Sequence, residues 1–368
     1  VQKQFKLNDI PGGAYVIVKE NHVVSLKTLG TTVQKGNQPI NRNTVFRLAS
    51  VSKTFAAAIT TKLAHENKLN LETPITDYVP YFQLAKKGFA EQIQLKHLLS
   101  HSSGLMPNTY DNMLHEKWPL EKVIKRFDKL NPICGVGKCY GYQNIAYSLV
   151  EPAIEHSQAL SYEQLVNSQL FKPLDMKNAS VGYKAFINSV NSAQPHILIK
   201  RKRTKQRDSF GDIISHNTWR KVKVSPDYYK VPSAAGINAS ISDMAKWLMA
   251  NMGHSPEVLS PSLLDDMTTP RVKTKKDLRR KYWRNLLTDA HYGYGWRIYQ
   301  LENFPIVYHS GWVAGFRAEV GYSPDLGIGF AMLINAESNV ISKLSSHFWN
   351  NAEQLTPSTL NQLSKLNN

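Results

Sequence analysis

The sequence predicts an α+β protein of two lobes, on three observations. Runs of alternating or apolar β-type residues open the chain and close it. Between them, from about residue 95 to 247, short helical patterns alternate with long connections. The chain has 368 residues, 42% of them hydrophobic, which is enough for a sizeable core. One mixed lobe is therefore expected from both termini, over 1–75 and 285–368, with a mainly helical lobe inserted over 76–284. The two form one two-lobed domain, and a cleft between them is where a site is expected.

The elements follow in order. GAYVIVKENHVVSLKTLGTT (13–32) reads as a hairpin around the turn KENH. NTVFRLAS then leads into a helix expected over about 50–68, where Phe55, Ile59 and Leu63 recur at i, i+4 and i+8 as one apolar stripe. LNLETPITDYVP is a Pro-punctuated loop. The helical lobe is read from LKHLLSHSSGL, PLEKVIKRFDKL, NIAYSLVEPAIEHS, SYEQLVNSQLFKPL and SISDMAKWLMANM. Strands return in IVYHS, GFRAEVGYS and IGFAMLINAES, with SPDLG as the turn between the last two. A helix over about 340–355 closes the pattern. There is no internal repeat, no low-complexity segment and no run near the roughly 18 apolar residues a membrane helix needs. No signal peptide is visible at Val1.

Lys and Arg number 45 against 28 Asp and Glu, a net charge of +17. Such a field attracts anions: nucleic acid, anionic lipid headgroups or an acidic wall polymer. Two runs concentrate it, KRKRTKQR (200–207) and RVKTKKDLRRKYWR (271–284). Both read as solvated loops, with an anionic envelope polymer as the sharper alternative. Tyr282 and Trp283 could stack bases, but no nucleic-acid motif accompanies either run. The only cysteines, Cys134 and Cys139, share a Gly-containing loop. They can close a small disulfide, which suggests an oxidising compartment, or stay as free thiols. A zinc site finds no second cysteine pair. His97 and His101 in HLLSH have i, i+4 spacing, yet Leu98 stands where a metalloprotease helix needs glutamate.

The chemistry begins in FRLASVSKTFAAAI (46–59), where Lys53 follows Ser50 by three. Residues i and i+3 share a helix face, so Lys53 can reach back to the Ser50 hydroxyl. A serine is a poor nucleophile without a positioned base. At a helix start it also lies near unpaired N–H groups that steady a developing oxyanion. Lys53 must be neutral to serve, and its free pKa is about 10.4, so burial or a nearby cation must lower it. In CYGYQNIAYSLV, Tyr142 and Asn144 stand two apart on a loop. The phenol can relay a proton, and the amide can hold a substrate carbonyl and orient Lys53. Tyr140 and Tyr147 are alternatives to Tyr142. In VYHSGWVAGF, His309 ends a predicted strand as the cation or donor of the site, and Gly311 lets a substrate backbone lie close. The N–H groups of Ser50 and Trp312 would form the oxyanion hole.

These three motifs, in this order, resemble the serine β-lactamase and penicillin-binding-protein superfamily. The nearer likeness is its class C branch, with class C β-lactamases, related esterases and D-amino-acid peptidases. LKHLLSHSSGL, PSAAGINASISDMAKWL, YGYGW and GYSPDLGIGFAMLINAES extend the likeness over roughly 11–349. It implies a β-lactamase/transpeptidase-like fold: a mostly antiparallel sheet flanked by helices, with a helical lobe. It also implies Ser50 as the acylated nucleophile, Lys53 as its base, Tyr142 as a second proton shuttle and Asn144 as a substrate-binding amide. His309 replaces the lysine of the usual K-T-G motif. H-x-G is common among esterase-like and peptidase-like members. A permanent cation for a substrate carboxylate is then missing, unless His309 is protonated or another basic residue substitutes. The expected activity is acyl-enzyme hydrolysis of a β-lactam, a D-Ala-type peptide or an ester, without metal or organic cofactor. The alternatives are a penicillin- or wall-peptide-binding sensor with little turnover, and a polymer-forming protein on this fold. The implied location is the bacterial periplasm or envelope, or outside the cell.

Overall fold

Near the two ends of the chain a pair of strands lie side by side, Gly13 opposite Ile334 and Val16 opposite Ala331, so both termini build one sheet. The computed structural model describes residues 1–355. The end of the span assigned to the sheet lobe, 356–368, lies outside the described residues. In chain order the strands are β1 (Gly12–Lys19), β2 (His22–Gly30), β3 (Phe46–Arg47), β4 (Ser180–Val181), β5 (His196–Arg207), β6 (Ile213–Lys221) and β7 (Ile237–Ala239). They continue with β8 (Val272–Lys273), β9 (Asp289–Tyr292), β10 (Arg297–Gln300), β11 (Pro305–Val313), β12 (Phe316–Ser323) and β13 (Ile328–Ile334). The main sheet has eight strands in the order β2-β1-β13-β12-β11-β10-β9-β8, with antiparallel pairings throughout. β3, β7 and β4 make a small second sheet, and β5 with β6 a two-stranded ribbon.

The pleat sends alternate residues to opposite faces. On β13, Phe330, Met332 and Ile334 join one apolar cluster, while Ala331 and Leu333 join another. The first cluster includes Phe5 of helix α1 (Gln2–Leu7) and Ile341, Leu344 and Trp349 of the helix Val340–Asn350. The second includes Met244 and Trp247 of the helix Ile241–Met249 and much of helix α2 (Ser52–His65). Helices thus cover the sheet on both sides, the fold expected from the sequence. The helix Ile241–Met249 packs on the sheet although it lies within the span assigned to the helical lobe.

Other expectations need correction. The helix expected over 50–68 is a 3-10 turn, Ala49–Val51, followed by α2. Its predicted single stripe is in fact burial all round: Thr54, Ala56, Ala58, Thr60 and Thr61 are enclosed along with Phe55, Ile59 and Leu63. Small Ala and Thr side chains let neighbours close in, and Phe55 stacks on Trp247 with 3.9 Å between ring centres. The closing helix stops at Asn350, with a separate 3-10 turn at Ala352–Gln354. Residues 200–207, expected as a loop, lie in β5. The run 271–284 mixes β8 and a 3-10 turn, and its Trp283 is fully buried rather than free to stack on a base. Among the described residues no helix is long and apolar enough to cross a membrane.

Candidate active site

Ser50 sits in the 3-10 turn just before α2, directly after Ala49, which is held at φ 50°. A non-glycine residue in the left-handed region is strained and is kept there by its surroundings. The surroundings are β11. A Cβ on Gly311 would lie 2.1 Å from the Leu48 carbonyl oxygen and 3.1 Å from the Ser50 nitrogen. Gly311 therefore admits the serine turn, and it also lines the cavity in which a substrate backbone is expected to lie. Ser50, Tyr142, Asn144, Ser310, Gly311 and Trp312 all line one cavity of about 970 Å³.

Lys53 is fully buried beneath it. Its Nζ donates to the Asn144 Oδ1 at 2.6 Å and to the Ala234 carbonyl at 3.0 Å, and lies 3.5 Å from the Ser50 Oγ. Burial pushes its pKa well below that of a free amine; Asp111 opposes the shift and Arg297 adds to it. A neutral amine has two N–H donors and one lone pair. The two carbonyl oxygens take the donors, which leaves the lone pair to accept the Ser50 proton. Ala234 belongs to the turn Pro232–Ala235, fixed by the Ser233 N–H donating to the Glu151 Oε1 at 2.8 Å. Burial raises the Glu151 carboxyl to about 8.

Three tyrosines were candidates for the shuttle, and they divide by placement. The Tyr147 hydroxyl donates to the Lys53 backbone carbonyl at 2.8 Å and is spent on holding α2. Tyr140 is half-buried and also lines the cavity, but its ring packs against Tyr292, the ring centres 5.7 Å apart. Tyr142 is the one in hydrogen-bonding reach of Ser50, and Lys53 Nζ lies 4.7 Å from its ring centre. Burial pushes its phenol up to about 12. At neutral pH the phenol is therefore protonated and can donate a proton.

The loop carrying Tyr142 is held from LKHLLSHSSGL. The Gly141 N–H donates to the His101 carbonyl at 2.8 Å, and the Gln143 N–H to His101 Nδ1 at 3.2 Å. His97 Nδ1 accepts the Gln94 N–H at 3.1 Å and caps helix α3 (Leu95–Leu99). One ring nitrogen of each histidine is thus taken by backbone, and among the described residues no cluster of three or more His, Cys, Asp or Glu is placed to hold a metal. Cys134 and Cys139 are bonded and close the base of the same loop. Closing so short a ring is worth about 2 kcal/mol in the chain-entropy view. Reduction is therefore expected to lower the midpoint of thermal unfolding by a few degrees, and unchanged melting with and without dithiothreitol would refute this.

His309 does not take the expected role. It lies inside β11, not at a strand end, and is fully buried outside the cavity lining. Its Nε2 meets the Tyr292 hydroxyl at 2.9 Å and its Nδ1 lies 3.0 Å from the Ser310 carbonyl. Burial, with Arg297 and Lys53 nearby, holds its pKa well below the usual value, so it is neutral and supplies no cation. Trp312 is 59% exposed at the cleft lip, where its indole N–H donates to the Glu337 Oε2 at 3.1 Å.

Two residues of the site escaped sequence reasoning. The Asn144 Nδ2 donates to the Asp111 Oδ2 at 2.7 Å, which turns the amide so that its oxygen faces Lys53. Arg297 lines the cavity and its Nε donates to the Asp277 Oδ2 at 3.2 Å. No spacing rule links Asp111 to a residue 33 positions away. Arg297, however, directly follows YGYGW, a stretch quoted for its likeness to the closing sheet, and that position was a readable signal.

The model of the Beta-lactamase family matches residues 2–344. The Staphylococcus aureus (strain MW2) protein named Protein flp is 24% identical over 358 residues, covering 94% of this chain. The chain spans 64% of that relative's length. The octameric penicillin-binding protein homologue from Pyrococcus abyssi superposes with a TM-score of 0.74 at 24% identity, over 91% of this chain and 72% of that one. A D-stereospecific amidohydrolase from Streptomyces sp. gives 0.70 at 17% identity, over 91% and 92%. These likenesses to solved structures are likenesses of fold.

Proposed function

Because the chain belongs to the beta-lactamase family, we propose that it is a serine acyl hydrolase of the class C type, working through an acyl-enzyme on Ser50. The observation that carries this reading is the placement of the buried Lys53 Nζ. Two carbonyl oxygens occupy its donors at 2.6 and 3.0 Å while the Ser50 Oγ stands 3.5 Å away. The Ser50 proton passes to Lys53 as the Oγ–carbonyl bond forms. The N–H groups of Ser50 and Trp312 hold the oxyanion. The bond to the leaving amine or alcohol then breaks, and that group takes a proton through Tyr142, whose phenol is protonated at neutral pH. Lys53 passes the proton it took from Ser50 to Tyr142 and is neutral again; it then takes a proton from water as the water oxygen bonds to the acyl carbon, the Oγ–acyl bond breaks, and the Ser50 Oγ takes that proton back. Substrates are an ester, a D-Ala-type peptide or a β-lactam. The Cys134–Cys139 bond supports an oxidising envelope compartment.

The test is intact mass and turnover with a penicillin and, separately, an activated ester, for wild type and Ser50→Ala. A Ser50-dependent adduct or turnover supports the reading. Turnover of penicillin indicates a β-lactamase, a stable adduct a penicillin-binding role, and ester turnover alone an esterase or peptidase. Neither adduct nor turnover with either reagent overturns it.

Asp111 gives a further prediction. It orients Asn144 and also raises the Lys53 pKa. Asp111→Leu is expected to lower ester turnover roughly 10- to 100-fold, the scale of losing one positioned contact. It should also move the acid limb of the pH profile to lower pH, because Lys53 loses a partner that favoured its charged form. A loss of rate with an unmoved acid limb would mean that Asp111 acts only as a structural residue.

A further inference from the structure

The two basic runs differ in how their charge is met. In 271–284, Arg271, Lys273 and Lys281 pair with Asp266, Asp289 and Asp212. The other run belongs to the ribbon β5–β6. Residues 196–223 carry nine lysines and arginines against two aspartates, Asp208 and Asp212. Among the described residues none of those nine is in an ion pair. The two aspartates are turned elsewhere. Both meet the Lys343 Nζ, Asp212 at 2.9 Å, and Asp212 also takes Lys281 at 3.1 Å. Like charges held on one hairpin repel, and a bound anion relieves that repulsion.

The ribbon is fastened to the body. Trp219 is buried in the apolar cluster that includes the helix Val340–Asn350, and its indole N–H donates to the Asn8 carbonyl at 3.2 Å. The Asn217 N–H donates to the Asp9 Oδ2 at 2.8 Å. This is the side of the sheet away from α2. Leu198 opposite Trp219 and Arg201 opposite Asn217 set Arg201 and Arg203 on the inner face. There, with Arg207 and Lys281, they line a cavity of about 380 Å³. Lys200 opposite Thr218, Lys202 opposite His216, and Arg220 stand exposed on the outer face. Neighbours two residues apart on a face are about 7 Å apart along the strand. The Arg201 Nε donates to the Asn217 Oδ1 at 3.2 Å, and the Arg207 Nη1 to the Gly211 carbonyl at 2.5 Å. Those bonds orient the two guanidiniums and leave their other donors for phosphate oxygens.

We propose that the ribbon β5–β6 is a docking surface for a linear, phosphate-bearing polyanion, which wraps both faces and enters the cavity along Arg201, Arg203 and Arg207. Rows of cations suit a chain of repeated anions better than one small anion. Charge on both faces favours a flexible polymer over the plane of a membrane, which meets only one. The aromatic side chains nearby are engaged. Trp219 is buried, Phe210 packs edge-on against His347 with ring centres 4.8 Å apart, and the Lys281 Nζ lies 4.7 Å from the ring centre of Tyr282. Base stacking therefore adds nothing, and the phosphates are read by charge and hydrogen bonding alone. None of the residues lining this cavity lines the one that holds Ser50, so the proposal stands apart from the hydrolase reading.

The test is fluorescence anisotropy of end-labelled inorganic polyphosphate titrated with the whole protein, from about 50 to 200 mM salt. Wild type is expected to bind with an affinity that falls steeply as salt rises. The inner-face variant Arg201→Gln/Arg203→Gln/Arg207→Gln and the outer-face variant Lys200→Gln/Lys202→Gln/Arg220→Gln should each weaken binding by roughly 10-fold or more. Each should also lower the salt slope by about two, the loss of three phosphate contacts on a flexible strand. Lys87→Gln/Lys117→Gln/Lys122→Gln removes the same charge from exposed lysines elsewhere and should change affinity by less than about 3-fold. No binding at about 100 mM salt overturns the proposal, as does equal weakening by the control variant or weakening by only one of two folded ribbon variants. Tighter binding to phosphatidylglycerol vesicles overturns it in favour of a membrane. Tighter binding to a single-stranded oligonucleotide at equal phosphate overturns it in favour of nucleic acid. Should the inner-face variant fail to fold, the outer-face variant decides: weakening beyond the control supports the proposal, and none beyond it overturns the proposal.

Discussion

Lys53→Met is expected to lower ester and penicillin acylation by about four orders of magnitude, the scale seen when one member of a catalytic unit is removed. Methionine keeps the length and apolar stem of the side chain, so packing around α2 changes little. What is lost is the lone pair facing Ser50. The same variant tests the protonation state on which the mechanism depends. Burial holds the Lys53 pKa in the folded protein well below the usual value, whereas the unfolded chain restores it to about 10.4. Between those two values the unfolded state binds more protons than the folded one. Stability contributed by this group therefore rises with pH across that window, by about 1.4 kcal/mol per pH unit, and levels off above the unfolded value. The methionine variant has no such term. Urea unfolding of both proteins from pH 7 to 10 should show wild type gaining on the variant as pH rises. A difference that stays flat with pH would mean that Lys53 is charged in the folded protein and cannot be the resting base.

What the sequence disclosed about this site depended on distance along the chain. Ser50 and Lys53 are three apart, and a helical period alone is enough to bring them to one face. The strained Ala49 that holds Ser50 left no trace, because its φ is imposed by β11, more than 250 residues later. Choosing Tyr142 over Tyr140 and Tyr147 required the direction of a loop, which the backbone bonds to His101 set. His309 was misplaced for a related reason. β11 is covered on both faces, so PIVYHSGWV shows no alternation that would have marked the histidine as interior. β5 failed in the opposite way. A ribbon of two strands with mostly exposed side chains has no core face, and HILIKRKRTKQR carries charge where a strand pattern would carry alternating apolar residues. The fold class was accessible because the core strands at the two ends are long and apolar, and β1 can bury such a surface only against a partner such as β13.

Gly311→Ala is expected to cost roughly 100- to 1000-fold in acylation, far more than one methyl group suggests. Three atoms decide this. The new Cβ would fall 2.1 Å from the Leu48 carbonyl oxygen, 3.1 Å from the Ala49 Cβ and 3.1 Å from the Ser50 nitrogen. The closest of these is backbone, so no side chain can swing aside to absorb the clash. Either β11 or the turn Ala49–Val51 must move, and β11 is pinned by its pairing with β10 and β12. The turn is the softer partner, already held at a positive φ at Ala49. Its displacement separates the Ser50 N–H from that of Trp312 and shifts the Ser50 Oγ relative to Lys53 Nζ. Losing one oxyanion donor alone is worth about 100- to 1000-fold, and overpacking of a fitted contact costs about 1–3 kcal/mol of stability. The two consequences can be read separately, by ester acylation rate and by urea midpoint. Gly321→Ala serves as the comparison, since its Cβ would come no nearer than 3.1 Å to any atom and lies on β12, away from Ser50. If Gly311→Ala acylates at the wild-type rate, the close seat of the serine turn on β11 does not set the reacting geometry, and the oxyanion hole must be sought in other N–H groups.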